Sequence, residues 1–505
     1  MMLPTMLIQA LPITIVLLLV AAAVVIGVSK RSATAKKLSV CAHAAAFVLS
    51  LLMLSAIRDG EPISMIIGAE PWNFYLLVGS LDAFLLSLFI GVSLLILWAS
   101  ATMIDHDVEE KRIPLYYALM CVLIATLCGV VIFENFFNIF LMVEFSSFAA
   151  AGIVIIKNKP ENMRAGLKYL TLSILGSSFI LMGIIILYFL TDSLSLTGVH
   201  AGLAQNFIGN EAAARNALIF ITIGTALKSA LFPLHIWLPD AHSTAPSPSS
   251  AVLSSLVLKA YIFLYIKILY KAIGTEILLH NEILLLILFV VMVTGAAAML
   301  AGSVMALLQR DIKRMIAYSS VAQIGYIFMG IGMGTRLGLF AAVFHILVHA
   351  VTKAVLFLVA GSIIEQTDNR IIDKMGGLGI KMPKTMTLFT VGALSMVGIP
   401  LFIGFNSKWF FAMSMIDAQQ IWLLAVLALS SLLNGCYYLP IVTRAFFGKN
   451  AREATEEGVS LERPTKALVP LFILGSLIIL LALFGGPIND YIRMGVDQIW
   501  QWDGR

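Results

Sequence analysis

The feature that most constrains this chain is a succession of apolar stretches, each about 20 residues long, which is the length a helix needs to cross a bilayer. Only helices and closed barrels satisfy their backbone hydrogen bonds in lipid. The stretches are unbroken rather than alternating, so strands are disfavoured. The sequence therefore predicts an all-α membrane protein with about fourteen transmembrane helices, which begin near residues 6, 38, 76, 113, 135, 169, 216, 248, 283, 314, 337, 384, 420 and 467.

The composition agrees with this class of protein. Hydrophobic residues make up 60% of the chain and charged residues 12%, against roughly 45–50% and 25% in soluble domains. The cysteines form no C-x-x-C pair, so we expect no iron–sulfur cluster. We expect no other cofactor and no bound metal. The cysteines are Cys41, Cys121, Cys128 and Cys436.

Lysines and arginines are distributed unevenly along the chain. With the N-terminus outside, the predicted inward loops hold 22 of the 33 basic residues, including the 310–314 cluster, which we interpret as an anchor. Inward loops of membrane proteins are enriched in such residues. We predict that both termini lie on the outer side of a prokaryotic inner membrane, and that the net charge of +5 reflects topology rather than a nucleic-acid partner. The seven basic residues assigned to the outer side are Arg58, Arg215, Lys267, Lys271, Arg336, Arg493 and Arg505.

Five ionisable residues lie deep inside apolar stretches. A charge at bilayer depth costs roughly 2.5–3.5 kcal/mol on insertion scales, so such residues are rare unless they serve an ion or proton pathway. The sequence therefore predicts a protein that moves charge across the membrane. The five residues are Glu144, Lys228, Lys259, Lys353 and Lys408.

Two of the predicted helices carry a breaker beside their lysine. Pro233 follows Lys228, and Pro400 precedes Lys408. Proline removes a backbone donor, and paired broken helices in two halves indicate an inverted-repeat transporter. The two breaks fall on the fourth helix of two consecutive five-helix units. We therefore divide the chain into three N-terminal helices, a first repeat, a second repeat and a final helix with an amphipathic tail, at residues 1–112, 113–275, 276–447 and 448–505. Ordinary kinks are the alternative.

The buried charges suggest a proton relay. Lysine changes its protonation readily when buried, so a carboxylate such as Glu144 could control Lys228 if their helices touch. A static ion pair is the alternative. His345, His349 and Lys353 lie at positions i, i+4 and i+8 on one face of a helix, which suits lateral proton transfer. Haem ligation by the two histidines is the competing interpretation.

Three further polar groups follow the first proline. We expect His235, Asp240 and His242 to hydrogen-bond the unwound backbone and line a polar entrance, with a purely structural role as the alternative; Asp240 and His242 alone are too few ligands to claim a metal site. Asp82 and Glu134 are predicted to be peripheral. The segment 487–505 predicts an interfacial amphipathic helix, with a disordered tail as the alternative.

These motifs resemble the antiporter-like subunits of respiratory complex I, of Mrp-type sodium/proton antiporters and of membrane-bound hydrogenases. The resemblance covers about residues 70–450. It rests on Lys228 with the P-L-H-I-W-L-P-D-A-H that follows it, on His345, His349 and Lys353, which we call the histidine stripe, and on G-I-P with the G-F-N-S-K that follows it. It implies two inverted five-helix repeats, each with a half-channel. By motif position, Glu144 and Lys228 would form the gating pair, Lys259 the central relay, and Lys408 the exit-side lysine.

We accordingly predict a proton-translocating membrane subunit, with Na⁺/H⁺ antiport left open, that works with other membrane subunits in lipid. It would have no catalytic centre of its own, although it could belong to an ion-translocating oxidoreductase. Two alternatives remain: a redox-active subunit that binds haem or quinone, and a self-sufficient antiporter.

Overall fold

A computed structural model describes residues 5–57, 61–68, 73–447 and 460–502 of the chain. Four basic residues of the predicted topology, Arg58, Lys449, Arg452 and Arg505, lie outside these ranges, as does most of the predicted 448–466 loop. The described helices are α1 (Thr5–Ser29), α2 (Ser32–Ala56), α3 (Ser80–Asp107), α4 (Ile113–Ile132), α5 (Phe136–Ile155), α6 (Pro160–Thr191), α7 (Leu196–Asn206), α8 (Glu211–Lys228), α9 (Leu238–Thr244), α10 (Ser247–Ile273), α11 (Thr275–His280), α12 (Glu282–Leu307), α13 (Ile312–Gly332), α14 (Arg336–Thr367), α15 (Leu378–Lys381), α16 (Pro383–Val397), α17 (Ile403–Asp417), α18 (Trp422–Phe446), α19 (Thr465–Phe484) and α20 (Gly486–Trp500).

Within these ranges, 12 helices are long and apolar enough to cross a membrane. The predicted stretches near 216 and 384 are the ones that contain the breakers. The first is interrupted between Lys228, where α8 ends, and Leu238, where α9 begins. The second is interrupted between Val397 and Ile403. The helical membrane class is thus confirmed, whereas the count of fourteen crossings and the inverted repeats stay predictions.

The chain is nearly all helical, and the one helix start that was wrong is the one predicted near residue 76. Residues Ile63–Ile67 (β1) and Phe74–Val78 (β2) form a two-stranded antiparallel hairpin, in which Ile63 pairs with Val78. The apolar stretch that we began near residue 76 therefore starts as a strand, and its helix begins at Ser80. Short runs of β-branched and aromatic residues are ambiguous between strand and buried helix.

Polar caps start several of the helices at fixed positions. Asn135 accepts a hydrogen bond from the backbone of Phe137 at the start of α5, and Asp311 accepts one from Arg314 at the start of α13. Thr335 does the same for α14 through Gly338. These side chains satisfy backbone donors that have no partner within the helix.

The two most enclosed helices occupy the centre of the molecule. Every residue of α10 is buried, as are residues 338–363 of α14, and the two helices contact each other. Outer helices instead present large apolar side chains, such as Val24 on α1 and Phe189 on α6, in the manner of a lipid-facing surface. The helices that carry Lys259 and the histidine stripe are therefore shielded from lipid by the rest of the protein.

Several charged residues that we assigned to loops or to the periphery are in fact buried. Lys267 and Lys271 lie within the last turns of α10, and Lys313 lies in the first turn of α13. Asp82 and Glu134 are buried too, at 1% and 0% exposure. Counting basic residues by loop cannot separate a loop lysine from one enclosed at a helix end, because both stand next to apolar sequence.

Candidate functional site

Lys228 ends α8 in the interior of the protein, where it is 2% exposed. Its Nζ donates hydrogen bonds to Ser147 Oγ on α5, at 2.7 Å, and to Ser173 Oγ on α6, at 2.9 Å. It also lies 4.9 Å from the centre of the Tyr261 ring on α10. The Lys228 side chain therefore contacts hydroxyl groups on α5 and α6 and an aromatic ring on α10.

Close helix packing holds Lys228 in this place. A Cβ atom added at Gly224 of α8 would lie 2.5 Å from the backbone oxygen of Gly176 on α6. Only glycine allows such an approach. After the break, the indole nitrogen of Trp237 donates to Leu227 O at 2.9 Å. This carbonyl, at the end of the interrupted helix, also accepts from the backbone N–H of Ala230 at 3.3 Å.

Glu144 is half-buried on α5, one turn before Ser147. It is close enough to act electrostatically on Lys228, but no ion pair within 4.0 Å joins these two residues. The buried Oε1 of Glu144 has no hydrogen-bond partner among the described residues. The geometry is therefore that of two separated ionisable groups rather than of a closed ion pair.

Lys259 lies on α10 and is fully buried. A π-helical turn, Leu253–Val257, ends two residues before it, and Lys259 Nζ donates to the backbone oxygen of Ser254 within that turn. A π-helical turn changes the spacing of the backbone hydrogen bonds, and such turns are frequent at functional sites. The lysine therefore contacts the backbone of the distorted turn itself.

The predicted stripe on α14 is buried along its whole length. The Nδ1 atom of His345 is 2.7 Å from Ser407 Oγ, and the rings of His345 and His349 are stacked with centres 6.1 Å apart. Neither ring nitrogen of His349 has a hydrogen-bond partner among the described residues. Lys259 and Lys353 are both near enough to act on His349 electrostatically. His349 is therefore a buried imidazole within electrostatic reach of both central lysines.

Lys353 and Lys408 continue this set in the second half of the chain. Lys353 Nζ donates to Ile316 O at 3.0 Å and to Ser319 Oγ, with Tyr438 Oη at 3.4 Å. Lys408, 9% exposed, donates to Val397 O at 2.6 Å, which is the last carbonyl of α16, and to Ser431 Oγ at 2.8 Å.

The second helix interruption, between Val397 and Ile403, also determines the surroundings of Lys408. Gly398 has a φ of +88°, and a Cβ atom there would lie 2.6 Å from Lys408 Cδ. The left-handed backbone conformation therefore favours glycine, and an added Cβ atom would displace the Lys408 side chain. The helix break positions the lysine against the unwound backbone.

The four intramembrane lysines share one property. Among the described residues, no carboxylate lies within 4.0 Å of Lys228, Lys259, Lys353 or Lys408. Three of them instead donate to serine hydroxyls. A hydroxyl can accept from an ammonium group and donate to a neutral amine, so it can accompany both protonation states.

The two halves of the chain repeat one hydrogen-bond arrangement. Ser146 on α5 is 2.8 Å from Tyr261 Oη on α10, and Ser319 on α13 is 2.8 Å from Tyr438 Oη on α18. In each case the second helix of a predicted five-helix unit contacts the fifth. The second half has Ala317 two residues before its serine, where the first half has Glu144.

The three residues of the predicted entrance, His235, Asp240 and His242, are buried to different degrees. Asp240 lines a cavity of about 400 Å³ and accepts from Lys168 at 2.7 Å and Arg314 at 2.9 Å. His235 is 5% exposed and packs against Phe232. His242 is fully buried against Phe357, within electrostatic reach of Lys259, Lys313 and Lys353.

Sequence reasoning missed Lys313. Its Nζ donates to Ala245 O at 2.5 Å, so it lies beneath the turn between α9 and α10. The positive-inside rule accounted for its charge, and no local signal in the sequence distinguishes it from its exposed neighbours.

The fold and the buried line of lysines and histidines define a polytopic membrane protein of the ion-carrying class. Residues 133–434 match the family described as NADH:quinone oxidoreductase/Mrp antiporter, TM. The chain belongs to this family, which confirms the resemblance inferred from its motifs.

Two curated relatives illustrate the range of the family. The chain is 34% identical to NADH-quinone oxidoreductase subunit N of Desulforudis audaxviator, over 85% of this chain and 86% of that protein. It is 29% identical to a Na(+)/H(+) antiporter subunit of Alkalihalophilus pseudofirmus, over 87% of this chain. It spans 56% of the length of that second protein.

Solved structures match the fold over nearly the whole chain. A chain of the Mrp complex from Dietzia sp. DQ12-45-1b superposes with a TM-score of 0.87 at 22% identity, covering 98% of each chain. A chain of the membrane-bound sulfane sulfur reductase, an archaeal respiratory membrane complex, gives 0.86 at 26% identity, covering 98% of this chain and 97% of that chain. Both matches are to subunits of multisubunit membrane complexes.

Proposed function

We propose that the chain is a proton-translocating, antiporter-like subunit of a multisubunit membrane complex. The observation that carries this proposal is the buried series Lys228, Lys259, His349, Lys353 and Lys408, which extends from one interrupted helix to the other. Intramembrane ionisable groups at such positions serve ion or proton pathways. The names of the relatives support the same function.

The relay works by changing the protonation of lysines that no carboxylate holds in the charged form. Glu144 biases Lys228 from beyond contact distance, so a small approach of their helices favours the charged lysine and a separation favours release. His349 can accept a proton on one ring nitrogen and give one up from the other. It thereby connects Lys259 with Lys353.

We further propose two inverted five-helix repeats, residues 113–275 and 276–447, each with a half-channel. The matching Ser146–Tyr261 and Ser319–Tyr438 contacts support this division. Asp240 and its cavity form the polar entrance of the first repeat, and Lys408 serves the exit. The protein lies in a prokaryotic inner membrane with both termini on the outer side.

The test is proton pumping by the assembled complex in proteoliposomes. Lys259→Ala should assemble and lose pumping, because it removes a proton-carrying group together with its burial cost. Lys111→Ala is the matched control, since the Lys111 side chain is 75% exposed. Wild-type pumping by Lys259→Ala would refute the relay.

Sodium/proton antiport is the second candidate, favoured by the likeness to the Na(+)/H(+) antiporter protein of Alkalihalophilus pseudofirmus. Proton movement driven by an imposed Na⁺ gradient, measured with and without the partner subunits, separates the two functions. A visible spectrum of the purified subunit tests the haem alternative.

A further inference from the structure

Four charged side chains are buried together at the C-terminal end of α10, away from the relay described above. Asp82 belongs to the first turn of α3, and Glu134 to the turn between α4 and α5. Lys267 and Lys271 lie in the last turns of α10. Their exposures are between 0% and 3%, so all four are withdrawn from water. We refer to these residues as the four-charge cluster.

The cluster is an alternating ring of acids and lysines. Lys267 Nζ lies 3.6 Å from Glu134 Oε2 and 3.9 Å from Asp82 Oδ1. Lys271 Nζ lies 3.7 Å from an oxygen of each carboxylate. Each carboxylate is therefore within reach of both lysines, and each lysine is within reach of both carboxylates.

Glu134 is the least satisfied member of the cluster. Asp82 accepts a backbone hydrogen bond from Gly79 at 2.9 Å, and Lys267 donates to Val131 O and Phe133 O at 2.9 and 2.8 Å. Neither oxygen of Glu134 has a hydrogen-bond partner among the described residues. Buried carboxylates in purely structural networks are normally hydrogen-bonded. Burial raises the pKa of Glu134 even though both lysines oppose this, so its neutral acid form is accessible.

A cavity of about 280 Å³ reaches one side of the cluster. Asp82 and Lys271 line it, together with Gln498 and Trp502 from the tail. The Trp502 ring lies 4.9 Å from Lys271 Nζ. Since a water molecule takes about 30 Å³ of liquid volume, the cavity has room for several. Glu134 and Lys267 lie behind the two lining residues.

We propose that Asp82, Glu134, Lys267 and Lys271 form a proton-exchange site that connects the first half of the protein with the aqueous cavity beside α20. This assignment rests on the proposed function. Lys267 stands eight residues after Lys259 on the same helix, or about 12 Å along its axis. The site therefore gives α10 a second proton-carrying position beyond its central lysine.

The proton step is balanced within the cluster. The Lys267 ammonium passes its proton to the Glu134 carboxylate, which leaves a neutral amine and a neutral acid. The acid releases the proton by way of Asp82 and Lys271 to water in the cavity, and the amine takes up another proton from the protein interior. One proton thus leaves for each proton taken up.

Two tyrosines also face the cluster, Tyr75 from β2 and Tyr491 from α20. Burial raises the pKa of both phenols, that of Tyr491 to about 12. They therefore stay neutral near pH 7. The charge of the site is set by its two carboxylates and two lysines.

The test is Glu134→Gln in the assembled complex, with two measurements. We expect loss of proton pumping in proteoliposomes and loss of a pH-dependent carboxylic-acid band in the infrared difference spectrum. Glu365→Gln is the matched control, because Glu365 is another largely buried acid, 3.2 Å from Arg463, and lies outside both proposed sites. It should retain pumping and the band.

Wild-type pumping with an unchanged infrared band in Glu134→Gln would overturn this assignment. If Lys259→Ala is inactive at the same time, the proposed function stands and only the second site falls. Should the single variant fail to assemble, the charge-balanced double variant Glu134→Gln with Lys267→Met decides. An assembled but inactive double variant supports the site, and an active one refutes it.

Discussion

Removing the two hydroxyl groups that hold Lys228 tests the relay without touching a charged residue. Ser147→Ala with Ser173→Ala deletes hydrogen bonds of 2.7 and 2.9 Å to the ammonium group. A hydrogen bond to a charged group contributes about 1.5–3 kcal/mol, and 1.4 kcal/mol is about one decade in the ratio of charged to neutral lysine. Losing both should therefore shift that ratio by about two decades or more toward the neutral amine.

The assay is the pH dependence of proton pumping by the assembled complex. If loading of Lys228 limits the rate, the activity of the double variant should fall at a lower pH than that of the wild type, because the charged lysine is less stable. Ser178→Ala is the control. Ser178 lies on α6, the helix of Ser173, is exposed, and donates to the backbone of its own helix. A double variant with the wild-type pH profile would refute the role of these hydroxyls.

The remaining predictions concern Glu144, Lys408 and Gly398. Glu144→Gln should lower pumping, and Glu144→Asp should retain part of it, because an amide carries no negative charge that could act on the Lys228 cation; equal pumping by the Gln variant would contradict the switch. Lys408→Met should abolish pumping, whereas Lys408→Glu should keep a measurable rate with a shifted pH optimum, since glutamate also carries a proton; an active Met variant with a misassembled Glu variant would indicate a structural counter-ion. Gly398→Ala should lower both thermal stability and pumping, by about 1–2 kcal/mol in stability for the left-handed backbone alone; no change in either would show that the break tolerates a side chain.

Much of the architecture could be predicted from the sequence because the bilayer imposes strong patterns. Apolar stretches of about 20 residues locate the crossings, and lysines within them mark the interior. The two proline motifs coincide with real interruptions, at 229–237 and 398–402. The spacing of His345, His349 and Lys353 placed them on one buried face, as the structure has them.

The parts that could not be predicted depend on contacts between distant segments. Lys267 and Lys271 precede a polar stretch, so their sequence context is that of an outer loop; only α3 and the α4–α5 turn, folded against α10, reveal them as buried. The separation of Asp240 from His242 likewise depends on α9, a helix of 7 residues that points one side chain to the cavity and the other inward. Such short helices leave almost no periodic signal.

The contrast between the two kinds of buried lysine bears on how the chain could work. Lys228, Lys353 and Lys408 donate to neutral hydroxyls, which stabilise the charged lysine but can also donate to the neutral amine. Lys267 and Lys271 face carboxylates, and an opposite charge within about 4–6 Å favours the charged form. The first arrangement suits groups that lose and regain a proton in each cycle. The second suits a store in which a proton moves between neighbouring acids and bases while the total charge stays constant. A chain that contains both can separate transfer through the membrane interior from exchange with water at its edge.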